Sequence, residues 1–410
     1  MEEKLKISLF WNFIGSAITK IFTFSVTIVL TRTLSPEDFG IFAIAMVIMN
    51  ILIELTRFGV ESYIVYKYTD DKTLINSSFS FLLFLSILFS IVGILVSPLI
   101  GKFYNEPKVI FILSILSISL LIYPFYWLPT GILTKNMDFK TIALVNIISN
   151  FISACIIITL ALNKVGIICL VLSTFLDKLI AGLLFLKVSN FKPAFNFNKT
   201  YWKEIYDYGK NVLGGVICWL AIFNLDNAIV GKFLGTKELG FYSFAYNLAM
   251  TPSIFLGIIF SQSTFPIFSR LKNEIEKFRK FFIKITIIMA ILTIPLFSFL
   301  ILFAKPLIIF IFGYKWSNSI IPFQILLIYS GLRLIFCFCP SCLRAIGRPD
   351  VEFKVGLIFL PISLIGFLIA VRYGIISMAL TVTTILSLSP ILLFYISFKN
   401  IFTMKNYFIN

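Results

Sequence analysis

Four ionisable residues sit near the middle of long apolar runs: Lys20, Asp177, Lys178 and Arg333. At mid-bilayer such a side chain costs about 2.5–3.5 kcal/mol unless it faces protein or water, so each needs a partner or a hydrated path. Two chemistries fit. The cations could receive an anionic group that must cross the membrane, or they could close ion pairs between helices, with Asp177 as a ready partner. Asp226 stands in the outer half of another apolar run. If buried, it could carry a proton or bind Na⁺; held by Asn224 or Asn227, it would be a structural carboxylate. Glu54 and Arg57, three residues apart, read as a local ion pair.

The helices that must position these groups show polar stripes. Asn12, Ser16, Thr19, Lys20, Thr23, Thr27 and Thr31 recur at steps of three and four, which places them along one helix face. Asn211, Gly214, Gly215, Cys218, Asp226 and Asn227 form a similar stripe in the second half of the chain. These faces are expected to line a hydrated path, which adds Asn12, Ser16 and Asn211 to the candidates for substrate contact beside Lys20, Lys178 and Arg333. Asp226 and Asp177 are the candidates for ion coupling.

Other chemistry is missing from the sequence. There is no His, which removes the commonest general base and metal ligand. The run Cys337-Phe-Cys339-Pro-Ser-Cys342 has no fourth ligand near it and reads as small residues packing helices. Neither a Gly-rich phosphate loop nor a nucleophile elbow is present. No metal, cofactor or catalytic residue is expected.

The composition explains why so few charges matter. Of 410 residues, 59% are hydrophobic, 47 are Phe, and only 13% are charged, about half the share of a soluble domain. Only an integral membrane protein fits, and the length of its apolar runs makes the expected fold all-α. Runs of about 20 apolar residues give twelve spans, near 7–31, 39–59, 77–100, 109–131, 141–162, 165–187, 205–231, 239–264, 282–304, 317–342, 354–371 and 374–397. With the N-terminus inside, 23 of the 35 basic residues fall on inside segments and 9 on outside loops. Both termini are therefore expected in the cytoplasm of a multi-pass inner-membrane protein, and the net charge of +16 is a matter of topology rather than nucleic-acid binding. The stretch Ser269–Lys284, rich in Lys and Arg with apolar residues at helical spacing, predicts an amphipathic helix on the cytoplasmic surface.

The two halves echo each other. Asn12-x-x-Gly15-Ser16 and Leu34-Ser-Pro-Glu37-Asp-Phe-Gly40 reappear as Asn211-x-x-Gly214-Gly215 and Leu234-Gly-Thr-Lys-Glu238-Leu-Gly240, about 200 residues later. Pro129 through Lys135-Asn-Met-Asp138-Phe139-Lys140 is echoed by Pro340 through Arg348-Pro-Asp350-Val-Glu-Phe353-Lys354. Six spans per half return the chain to the same side. The repeats are therefore parallel, and two six-helix lobes related by a pseudo-twofold axis along the membrane normal are expected. Their bounds are 1–190 and 205–410, joined by a cytoplasmic linker over 191–204.

These segments, with Asn224-Leu-Asp226-Asn227-Ala-Ile-Val-Gly231 and Leu343-Arg-Ala-Ile-Gly347-Arg-Pro349, resemble the multidrug/oligosaccharidyl-lipid/polysaccharide (MOP) exporter superfamily, which has a MATE-like fold. The likeness is to its polysaccharide-export branch, the Wzx-type flippases. The resemblance implies alternating-access export of a polyprenyl-diphosphate-linked oligosaccharide for O-antigen, capsule or exopolysaccharide. It also implies that membrane lipid surrounds the protein and that a polysaccharide polymerase and glycosyltransferases work beside it. A multidrug exporter or a lipid-II-type flippase of the same superfamily is the alternative. Mid-membrane cations outnumber carboxylates here, which argues against a cation exporter. A membrane glycan polymerase would need a large external loop, and the external loops are short.

Overall fold

In the computed structural model, helix follows helix. The structure describes residues 2–403 apart from 70, 190, 272, 273 and 349; the side chains of 2–9, 12, 211, 215, 262, 402 and 403 lie outside the described set. The elements are α1 (Glu2–Thr33), α2 (Pro36–Arg57), α3 (Val60–Lys67), α4 (Lys72–Tyr104), α5 (Pro107–Ser119), α6 (Tyr123–Lys135), α7 (Phe139–Leu162), α8 (Ile168–Val188), α9 (Lys199–Leu271), α10 (Ile275–Leu302), α11 (Ala304–Phe312), α12 (Ile320–Ile335), α13 (Cys339–Ala345), α14 (Asp350–Ala370) and α15 (Ile375–Thr403). Among the described residues, eleven helical stretches are long and apolar enough to cross a membrane. One of them, Val216–Leu271, has 56 residues, or about 84 Å at 1.5 Å per residue, far more than a bilayer. It breaks at Gly235 (φ 85°, ψ 176°), so it supplies two crossings and the total is twelve. The chain is an all-α, multi-pass membrane protein.

The helices are built inside out relative to a soluble protein. On α4, Phe84, Leu88, Ile91, Leu95 and Leu99 are exposed, while Ser86, Ser90, Gly93, Ser97 and Gly101 are buried. In lipid, apolar burial does not drive helix association, so close backbone approach and hydrogen bonds must do so. A Cβ on Gly93 would lie 2.2 Å from Ser117 Oγ, and one on Gly15 would lie 2.6 Å from Ala143 Cβ. Ser97 and Ser114 hydroxyls meet at 2.9 Å between α4 and α5. Ser330 Oγ donates to the Ala249 carbonyl at 2.6 Å, and Thr383 Oγ1 to that of Ile325 at 3.1 Å.

The chain divides into two compact units, 1–220 and 221–410, with the division inside α9. In the first unit, six crossings are completed before the stretch 191–198, which runs without regular structure. Turn geometry recurs between the units. The exit of α1 is a capping box at Ser35, whose hydroxyl accepts from Asp38 N while Asp38 accepts from Ser35 N. About 200 residues on, the chain turns at Gly235. Left-handed Met137 (φ 58°) follows α6, and left-handed Gly347 (φ 76°) follows α13. Gly166 (φ 87°) precedes α8, as Gly374 (φ 90°) precedes α15. The fourth and tenth crossings are each interrupted, by a 3-10 turn at Leu120–Ile122 and by the turn between α12 and α13.

The surface stretch expected to form a separate amphipathic helix is corrected. From Ile275 it is the beginning of α10, which runs unbroken to Leu302. Phe278, Phe282 and Ile285 are buried, and Phe282 packs on Phe338 and Phe394. Aromatic residues at helical spacing drew this segment into the helix packing, and the Arg and Lys residues fall on its other faces.

Within the first unit, the start of α9 is latched down. Tyr206 stacks on Phe58 at 5.8 Å, Tyr208 packs against Tyr63 and Tyr66, and Trp202 sits edge-on to Phe81. Glu204 accepts from Lys67 Nζ at 2.6 Å and from Tyr63 Oη at 2.8 Å. Tyr201 Oη donates to Asp71 Oδ2 at 2.6 Å. The bonds from Lys67 and Tyr63 hold the Glu204 carboxyl below its ordinary range, and the Tyr201 bond does the same for Asp71. A carboxylate lowered on folding stabilises at every pH above its unfolded value and loses that contribution as pH falls through the folded one. The latch is therefore closed at neutral pH, and its carboxylates release it in acid.

Candidate functional site

Of the two polar helix stripes, the one on α1 lines a cavity in the first unit. This cavity of about 280 Å³ opens among α1, α6, α7 and α8, near the lower end of small-ligand clefts at roughly 300–1,000 Å³.

Each wall has a local cause. On α1, Ser16, Thr19, Lys20 and Thr23 face the cavity. Thr19 Oγ1 donates to the Ser16 carbonyl, Thr23 to Thr19, Thr27 to Thr23 and Thr31 to Thr27. This back-bonding satisfies the hydroxyl protons inside the helix, and at Thr19 and Thr23 the oxygens face the cavity as acceptors. Gly15, tight against Ala143, lets α1 and α7 approach closely enough to form the floor. On α8, Asp177 and Lys178 are at the middle of the crossing. Their side chains are 19% and 28% exposed, and Lys178 Nζ lies 3.1 Å from Asp177 Oδ2. The same ammonium sits 4.3 Å from the centre of the Tyr126 ring, a cation–π contact. Tyr126 Oη reaches Asn146 Oδ1 at 3.4 Å, and Asn150 Nδ2 donates to the Asn146 carbonyl. With Lys20 exposed to the cavity, its formal charge is two cations against one carboxylate.

Of the predicted residues, Ser16, Lys20, Asp177 and Lys178 are thus brought together. Asn12 and Asn211 lie on helices, but their side chains are outside the described residues. Arg333 belongs to the second unit. It sits in the last turn of α12, where the helix dipole favours a cation, with its guanidinium 5.1 Å from the Phe223 ring. Asp226 is 1% exposed and accepts from Tyr242 Oη at 2.7 Å and from Asn227 N at 2.8 Å, tying together the two parts of α9 on either side of Gly235. Arg57 is 3.8 Å from Glu54 as expected, but its closer partner is Glu61, which accepts from Arg57 Nε at 2.7 Å. The left-handed pair Phe58 and Gly59 turns the chain between α2 and α3 and brings Glu61 back onto Arg57. Glu61 also stands within electrostatic range of Lys178.

Tyr126, Asn146 and Asn150 are cavity residues that the sequence reading missed. The signal was there: two Asn four residues apart in an apolar helix share a face and rarely point to lipid.

Comparison with known proteins agrees with this architecture. A family model described as "Polysaccharide biosynthesis protein" matches residues 29–321. The teichuronic acid biosynthesis protein TuaB of Bacillus subtilis is 29% identical over 259 residues, 63% of this chain and 54% of that protein; the match thus spans about half of its length. The lipopolysaccharide biosynthesis protein WzxC of Escherichia coli is 24% identical over 358 residues, covering 85% of this chain and 72% of that one. Among solved structures, the lipid II flippase MurJ in an inward closed conformation superposes with a TM-score of 0.74 at 17% identity, over 94% of this chain and 87% of that one, which shows the same fold.

Proposed function

Because the chain belongs to the polysaccharide biosynthesis protein family, we propose that it is a flippase carrying a polyprenyl-diphosphate-linked oligosaccharide from the cytoplasmic to the outer leaflet for surface polysaccharide assembly. The observation that carries this reading is the meeting of Lys20 and Lys178, from two different membrane-spanning helices, in one polar cavity. A diphosphate is anionic and rich in acceptor oxygens, and clustered ammonium donors are what it binds. The cavity is of headgroup size, so the isoprenoid tail stays in lipid and the sugars trail in water. Relatives named for teichuronic acid and lipopolysaccharide biosynthesis point to surface glycans as the cargo. The work is translocation, and no bond is made or broken.

In this reading the two repeated halves are the lobes of an alternating-access transporter in the inner membrane, with both termini cytoplasmic. Arg333 takes part from the second half. Asp226 and Asp177 are where a coupling ion would act. A glycan polymerase and glycosyltransferases supply and consume the cargo. With the cell interior negative, exporting a headgroup of charge about −2 gains roughly 4–5 kcal/mol per 100 mV if its charges cross the field uncompensated, so the potential alone can drive export. In proteoliposomes loaded with a fluorescent lipid-linked oligosaccharide, outward transfer should require the protein and accelerate when an inside-negative potential is imposed. Transfer that ignores the potential and follows a pH gradient alone would refute the electrogenic step. No transfer at all would refute the function.

A further inference from the structure

The cavity already contains an anion. Asp177 and Lys178 are neighbours in sequence, and neighbours on an α-helix leave the axis about 100° apart. Their contact at 3.1 Å therefore forms only because the flexible four-carbon stem of Lys178 folds back over Asp177. The folded-back ammonium also lies over the Tyr126 ring. Both residues of the pair line the cavity, each is partly exposed to it, and Lys20 shares it.

We propose that Asp177 is an internal competitor for the diphosphate: it neutralises Lys178 while the cavity is empty, yields it when a headgroup enters, and recovers it when the headgroup leaves. The inference rests on the flippase reading above and adds a role for one residue of that site. Its logic is that of any carrier. A mid-membrane ammonium needs a partner or water, and in the empty cavity Asp177 is the partner of Lys178. A bare pair of lysines would also hold a diphosphate too tightly to release it. Because Asp177 is tethered beside Lys178, it lowers affinity and hastens release, and a folded-back lysine can exchange one carboxylate for one phosphate oxygen by stem rotation alone. Asp177 is thus a positioning residue for Lys178.

The test is binding of geranylgeranyl diphosphate to the full-length protein in lipid nanodiscs, beside the translocation rate. Asp177→Asn keeps the side-chain shape and removes the charge. It should bind about tenfold more tightly, a difference of about 1.4 kcal/mol, while translocation slows. In Asp177→Asn combined with Lys178→Ala, the gain should vanish. Inorganic diphosphate should show the same ratio, because the competition is at the headgroup; a gain for the prenyl form alone would overturn the proposal. Unchanged or weaker binding by Asp177→Asn, at a melting temperature equal to wild type and with Lys178→Ala weakened, would also overturn it. If neither Lys20→Ala nor Lys178→Ala weakens wild-type binding, the headgroup reading itself fails.

Discussion

Lys178→Glu should lower outward transfer of a lipid-linked oligosaccharide at least ~100-fold. The substitution removes one of the two cavity cations and sets a second carboxylate against Asp177 at the centre of α8. Losing one charge-assisted contact to an anionic headgroup costs about 1.5–3 kcal/mol, the new carboxylate adds repulsion, and each 1.36 kcal/mol is a factor of about ten in rate. Lys178→Arg keeps the charge and the contact with the Tyr126 ring and should retain much of the activity. Lys178→Met separates charge from fold: it removes the cation at similar volume, so it should fail in transport while still purifying as a monodisperse protein. The check is the initial rate in proteoliposomes, normalised to the amount of folded protein.

The largest structural effect is expected at Gly209. A Cβ there would stand 2.4 Å from the Phe58 carbonyl oxygen and 2.2 Å from its ring. Phe58 cannot retreat: it is left-handed (φ 45°), ends α2, and packs between Phe81 and Tyr206. Because the obstacle includes backbone, Gly209→Val should cost on the order of 3 kcal/mol or more, the upper range for overpacking. Lower yield and a lower thermal midpoint in detergent should follow. Five residues on, Gly214 provides the control. A Cβ there meets nothing within 4 Å, so Gly214→Ala should leave the thermal midpoint near that of wild type. Equal damage at both positions would show that the close approach of Gly209 to Phe58 does not set the cost, since helix propensity favours both replacements over Gly.

Hydropathy made the crossings legible, because every segment that meets lipid must be long, apolar and helical. It also made the intramembrane charges conspicuous, since so few are tolerated. Lys20, Asp177 and Lys178 could be picked out on those grounds, and the stripe from Ser16 to Thr23 does face the cavity. Partners were harder to read. That Arg57 prefers Glu61 depends on two left-handed residues between helices, one of them a Phe, which propensity does not foresee. That the chain from Lys199 packs on α2 to α4 depends on aromatic contacts, whereas composition shows 191–204 only as a polar linker and the next span only from 205. The basic stretch after Ser269 looked like a surface helix because its charges are visible in sequence, whereas the burial of Phe278 and Phe282 is not. Asn146 and Asn150 were overlooked because uncharged amides hardly dent a hydropathy average, though their spacing marks a shared face.

Photo-crosslinking measures directly where the headgroup sits. A prenyl diphosphate carrying a diazirine next to the diphosphate, bound to the protein in nanodiscs and irradiated, should label α1 between Ser16 and Thr23 and α8 beside Lys178, and an excess of inorganic diphosphate should abolish the label. Labelling spread over the lipid-facing residues of α4, unaffected by inorganic diphosphate, would contradict the account.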